Sequence, residues 1–316
     1  MNIRLSRPLF GFIALALAAG PLLAESRMEK SFKLEAGGEF AIDTDIGRVT
    51  VTGASGSGVR ILVTSRRDLD DLLRFDFQQG ARRVAVVARK RHRLSDWFFD
   101  GGSNVRFEIE VPSQTQVTVH TSGGGISLSG TRAPARLDTS GGGIEVRDLA
   151  GDLEAVTSGG SIRLRDIKGP ARVETSGGGI EATNVDGPLK AETSGGSVRT
   201  DRVSGDIRAH SSGGGIRIRE AGGRVDADTS GGSIEATFAR GNSRGGTLET
   251  SGGGILVALD PSAGLSIDAS GNSVSTDLPI TVSGEVSRRQ LRGTLGKGGE
   301  SLRLRTSGGS VRIRAI

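Results

Sequence analysis

One serine returns at a fixed place along this chain. Ser122, Ser140, Ser158, Ser176, Ser194, Ser212, Ser230, Ser251, Ser270 and Ser307 each follow the first residue of a TSGG-type unit. A hydroxyl becomes a nucleophile only with a base in hydrogen-bond reach. The chain has three histidines, His92, His120 and His210, and the last two merely precede Ser122 and Ser212 by two residues. The expectation is therefore a ladder of hydroxyls beside a glycine corner rather than a row of active sites. Acidic residues form no better constellation. Asp148 and Asp166 share position 10 of successive units, but Asn184 and Arg202 follow them. The calcium-binding nonapeptide G-G-x-G-x-D-x-U-x needs an aspartate four residues after its second glycine, and after residues 141–145 (GGGIE) that place holds Val146. No lysine and helix follow the glycines, as a phosphate loop would require. No catalytic residue, metal ligand or cofactor is expected.

The densest basic-aromatic patch lies at residues 89–104, RKRHRLSDWFFDGGSN. Arg89, Lys90, Arg91, His92 and Arg93 stand beside Trp97, Phe98 and Phe99, a mixture suited to an acidic glycan, a lipid head group or an envelope protein partner. The competing expectation is a solvated loop whose aromatics close one end of the fold.

The elements that hold these residues are read from the period. Units begin at Thr121, Thr139, Thr157, Thr175, Thr193, Ser211 and Thr229, each 18 residues apart, with later copies at Thr250, Ala269 and Thr306. Counting from that first residue, position 6 is Ile or Val (Ile126, Ile144, Ile162, Val198), and position 8 is mostly apolar. Position 11 is mostly apolar (Leu149, Ile167, Val185), position 13 is often glycine, and positions 15 and 17 are mostly apolar. Side chains alternating with period 2 put positions 6 and 8 on one face, and positions 15, 17 and the next 1 on one face. A single unit buries too little to offset its ordering entropy, so units must stack. This predicts an all-β fold, a single-stranded parallel β-helix or β-solenoid with 18-residue rungs, its corner glycines taking positive φ. Position 7 (Glu145, Arg163, Glu181, Arg199, Arg217, Glu235) mostly alternates in sign, as register control would require. Open ends of a solenoid invite stacking, and Phe32, Phe40, Phe75, Phe77 and Phe107 precede the regular units, placed to plug one end. Thr306 and the residues after it read as a closing half-rung.

Residues 1–24 read as a secretory signal peptide: Arg4 and Arg7 precede an apolar run over residues 9–17, and Ala24 ends the segment. Residues 25–119 follow as entry strands and cap, containing the irregular loop 89–104. Residues 120–316 form the regular repeats, with an irregular stretch at 278–304. The mature chain has no segment of transmembrane length. With no cysteine, the fold has no disulfides. Without Arg4 and Arg7 the chain carries 39 basic and 36 acidic residues, too balanced for a dedicated nucleic-acid binder.

The stretches GGEFAIDTDIGRVTVTG, FEIEVPSQTQVTVHTSGGGI and LRLRTSGGSVRIR are similar to the bacterial putative-adhesin family, a β-strand-repeat domain of unknown function. The resemblance spans about residues 32–314. It implies a right-handed single-stranded β-helix and offers no catalytic residues to carry over. The expected function is that of an exported, non-enzymatic β-solenoid, an adhesin-like envelope scaffold or binding protein in the periplasm, on the cell surface or secreted. The alternatives are a carbohydrate-active β-helix enzyme, which a persistent acidic cluster would favour, and a periplasmic sensor or assembly module.

Overall fold

The structure, a computed structural model, describes residues 25–91, 104–283 and 287–316; the expected leader lies outside them. In a regular rung, Leu153, Ala155 and Thr157 point inward from strand Leu153–Thr157, and residues 158–161 turn the corner. Ile162, Leu164 and Ile167 then point inward from Ile162–Lys168, and Gly169 and Pro170 lead back to strand Ala171–Thr175. From Gln116–Thr121 to Ile234–Phe238 each strand pairs in parallel with its equivalent one rung, 18 residues, away, Thr157 with Thr175 and Ile162 with Ile180. Stacked rungs build two facing sheets of 14 and 15 strands around an aliphatic core. The first sheet holds positions 6–12 of each rung and the second positions 15–18 with the next 1.

The third inward point belongs to the first-sheet strand and lies past a bend. Alternation would aim position 10 at the core after positions 6 and 8. Instead that position is left-handed, with φ of 48° at Asp148, 56° at Asp166, 55° at Asn184, 54° at Arg202 and 51° at Glu220, and it drops out of the ladder. The phase shifts by one residue, so position 11 faces inward. Asp and Asn tolerate this conformation best. The column that resembled a failed metal array is thus a conformational one, tied across rungs by Asn184 Nδ2 donating to Asp166 Oδ1 at 2.7 Å and Arg202 Nε donating to Asn184 Oδ1 at 2.6 Å.

The corner is glycine-rich for a different reason from the one expected. No glycine at positions 3–5 of a regular copy has positive φ. Position 4 instead allows backbones to approach: a Cβ on Gly160 would lie 2.0 Å from the Gly142 carbonyl oxygen, and one on Gly178 2.1 Å from that of Gly160. The inward threonine completes the corner. Thr157 Oγ1 donates to the Gly142 carbonyl at 2.7 Å and accepts from the Gly160 N–H at 3.2 Å, a pattern repeated at Thr139, Thr175 and Thr193. One hydroxyl satisfies two corner groups, which is why the position stays polar in an apolar core.

Thr200 breaks this economy. It occupies position 8 between Ala182 and Ile218, is 3% exposed, and its hydroxyl has no partner. Thr200→Val keeps the shape and removes the orphan hydroxyl. It is expected to stabilise the fold by about 1 kcal/mol, raising the melting temperature by about 2 °C. An unchanged or lower melting point in thermal unfolding refutes this.

Both ends are threaded. The rung Glu39–Thr44 and Arg48–Ala54 stacks directly on the first regular one, Thr44 beside Thr121 and Val49 beside Ile126. Outside it lies a rung later in sequence, Arg83–Lys90 and Arg106–Pro112. Antiparallel strands Ser26–Phe32, Val59–Ser65 and Leu73–Gln79 cover that end. Phe77 stacks on Phe32 and Phe75 at 5.6 and 5.8 Å, and Phe75 meets Phe107 edge-on at 6.4 Å. At the other end, Glu300–Thr306 and Ser310–Ala315 form not a closing half-rung but a whole inner one. It lies between the rung of Gly246–Thr250 and Ile255–Leu259 and the outer rung of Leu265–Ser270 and Ser273–Thr276. Antiparallel Gln290–Leu295 and Ile280–Val282 close the stack. Ala269 pairs with Leu304 rather than with Thr306, so the outer corner is two residues short and its copy lacks the threonine function.

Candidate binding surfaces

Of the basic-aromatic patch, the structure describes Arg89, Lys90 and Arg91. Arg89 is engaged with its neighbours: it pairs with Asp43 and, at 3.1 Å, with Asp45, and the hydrogen bond to Asp43 holds its guanidinium above the ordinary arginine range. The Lys90 N–H donates to Asp45 Oδ2 at 2.8 Å, and the Arg91 N–H to the Leu72 carbonyl at 2.9 Å. These contacts anchor the strand that leads into the loop. His92, Arg93, Trp97, Phe98 and Phe99 lie outside the described residues. Ala88 lies beside Thr44 and Phe107 beside Val49, the two positions that flank the corner of the neighbouring rung.

His120 Nδ1 lies 3.7 Å from Asp138 Oδ1, and His210 Nδ1 hydrogen-bonds to Asp228 Oδ2; both pairs cross one rung on the outer face of the second sheet. Neither ring is brought to Ser122 or Ser212. The same column carries Glu174, Glu192 and Glu249, but Val156 and His210 interrupt it and Arg305 ends it, so no continuous acidic row forms on this open sheet face. The column lines neither of two troughs that run across the rungs.

The larger concavity, about 750 Å³, is a trough along the edge of the second sheet. Position 14 of seven successive rungs and position 16 of six line it, from Gln116 to Arg224 and Asp226. At about 4.8 Å per rung, its six spacings span about 29 Å. Position 14 gives a carbonyl to the ladder: Leu153 N–H donates to Pro170 O at 2.9 Å, and Ala171 N–H to Pro188 O at 3.0 Å. In the regular rungs the ladder asks no donor of that residue, so Pro134, Pro170 and Pro188 fit there at no hydrogen-bond cost and set rigid apolar faces into a wall they share with Asp152 and Asp206. The opposite wall is charged. Arg136 pairs with Glu154 at 3.0 Å, while Arg172 and Arg208, two rungs apart, make no ion pair among the described residues. A second trough of about 440 Å³ follows the left-handed bends past Asn184 and Arg202. The long trough went unread in the sequence, where its signal was proline recurring at one repeat position.

The Toastrack DUF4097 family model matches residues 38–314, nearly all of the described fold. The chain belongs to this family. No curated protein matches it. Among solved structures, this Toastrack chain is similar to a putative adhesin from Bacteroides fragilis, at 12% identity over 92% of this chain and 97% of that one, with a TM-score of 0.34. A putative lipid binding protein from Parabacteroides distasonis matches at 11% identity over 92% and 97%, TM-score 0.37. A putative cell adhesion protein from Clostridium sporogenes matches at 11% identity over 92% and 100%, TM-score 0.25. Superpositions this loose carry nothing about ligand or activity.

Proposed function

We infer that the protein is an exported, non-catalytic scaffold of the cell envelope that holds an extended acidic glycan along its long trough. The trough's continuity carries this reading: two repeat positions generate one groove crossing seven rungs, a shape suited to a linear polymer. Proline faces pack against the C–H faces of sugar rings. The unpaired guanidiniums of Arg172 and Arg208, spaced two rungs apart, match carboxylates borne on alternate sugars of a disaccharide repeat.

The test is calorimetric titration of uronate-containing and neutral oligosaccharides, alongside cell fractionation of the native protein. Arg172→Gln and Arg208→Gln are each expected to weaken uronate binding about tenfold, the worth of one charge-assisted hydrogen bond. Arg165→Gln, on the other sheet, leaves it unchanged. Equal affinity for neutral chains, or a cytoplasmic address, refutes the proposal.

A further inference from the structure

The C-terminal end of the stack has a charge unlike the rest. Residues 260–316, which build that end, contain eight of the mature chain's 39 basic residues and five of its 36 acidic ones, a net +3 where the rest of the mature chain balances at 31 of each. Arg312 and Arg314 stand on the outer face of the first sheet, one strand in from its edge, and Arg303 and Arg305 on that of the second sheet, three strands in from the closing strand Ile280–Val282. Arg288 and Arg289 sit at the corner edge, where their carbonyls accept from Val274 and Gly271 N–H at 2.9 and 3.0 Å. All six are exposed, and only Arg305 has an ion-pair partner among the described residues, sharing Asp268 with Arg292.

Val282 and Ile316 are the exposed large hydrophobic residues among those described, each 40% exposed, and both lie at this end. Val282 continues an inward column, following Ile267 and Gly293 across the closing strands, at the point where the core meets solvent. The opposite end is sealed by the phenylalanine stack.

We propose that this end docks on an anionic phospholipid surface, with its arginines over the head groups and Val282 and Ile316 at the interface. Charge complementarity selects that occupant. Two copies meeting through this end would oppose like charges, and a soluble polyanion would leave the aliphatic pair uncovered. Interfacial cations gain from an anionic leaflet and apolar side chains from its acyl boundary. The stack would then stand on the membrane, independently of what the trough holds.

Co-sedimentation of the protein with phosphatidylcholine vesicles, with and without phosphatidylglycerol, tests this. Binding is expected only with phosphatidylglycerol, and to fall as salt rises. Each glutamine at Arg288, Arg289, Arg312 or Arg314 is expected to cost about fivefold. Lysine at the same four sites retains the binding and serves where the glutamine variants fold poorly. Val282→Ser weakens the part that survives high salt, and Arg172→Gln with Arg208→Gln leaves vesicle binding intact. Three results would each overturn the proposal: equal binding to phosphatidylcholine alone, heparin binding as tight as vesicle binding and unaffected by Val282→Ser, or self-association through this end.

Discussion

Gly160→Ala is expected to destabilise the protein by about 3–4 kcal/mol, and Gly159→Ala by about 0.5 kcal/mol or less. The two glycines are adjacent in the same corner and equally featureless in sequence. A methyl on Gly159 would lie 3.4 Å from the Gly141 carbonyl oxygen, an ordinary contact. On Gly160 it would lie 2.0 Å from the Gly142 oxygen and 2.3 Å from its carbon. That carbonyl cannot withdraw cheaply, because it also accepts the Thr157 hydroxyl. Moving it disturbs the hydroxyl that satisfies Gly160 N–H as well, so one added methyl loosens two rungs. Urea denaturation of the two variants separates close approach from conformational freedom as the reason for glycine. Equal losses at Gly159 and Gly160 would sink the close-approach account.

What the sequence disclosed follows from what a parallel stack repeats. Ile126, Ile144 and Ile162 lie in one column because the core asks the same of each rung, so period and inward phase are legible. Thr157 was readable as inward on the same grounds, while its two corner hydrogen bonds were not. Position 10 was not. Its demand is on the backbone alone, and an outward side chain there is free to be Asp, Asn, Arg or Glu at about 1 kcal/mol of left-handed strain. The trough was hidden because grooves arise between columns, and neither column is uniform: Pro170 and Pro188 share position 14 with Asp152 and Asp206. The order of the end rungs was hidden for the opposite reason. Equivalent rungs are interchangeable neighbours, so the copy at Thr306 carries no mark that places it inside the one at Ala269.

That threading gives the last prediction. In a simply coiled solenoid, removing the final rung shortens the stack and leaves the rest in place. Here, removing residues 300–316 withdraws an inner rung. It deletes the buried Leu302, Leu304, Val311 and Ile313 and strips both Gly246–Thr250 and Leu265–Ser270 of a partner. The outer rung and its antiparallel cover then have nothing to stack on, and residues 260–299 are expected to lose amide-exchange protection together. Deleting residues 157–174 is the matched control of nearly equal length. It joins Val156 to Thr175 and brings Thr139 beside Thr175 and Ile144 beside Ile180, so every column survives. The only new conflict is Glu145 beside Glu181, worth a few tenths of a kcal/mol. The internal deletion should therefore melt cooperatively with both ends protected, while the terminal truncation exposes a segment more than twice the length of what was removed. Protection retained at Leu265–Ser270 after the truncation would mean that the outer rung can close directly onto Gly246–Thr250, and that the inner rung is dispensable to the cap.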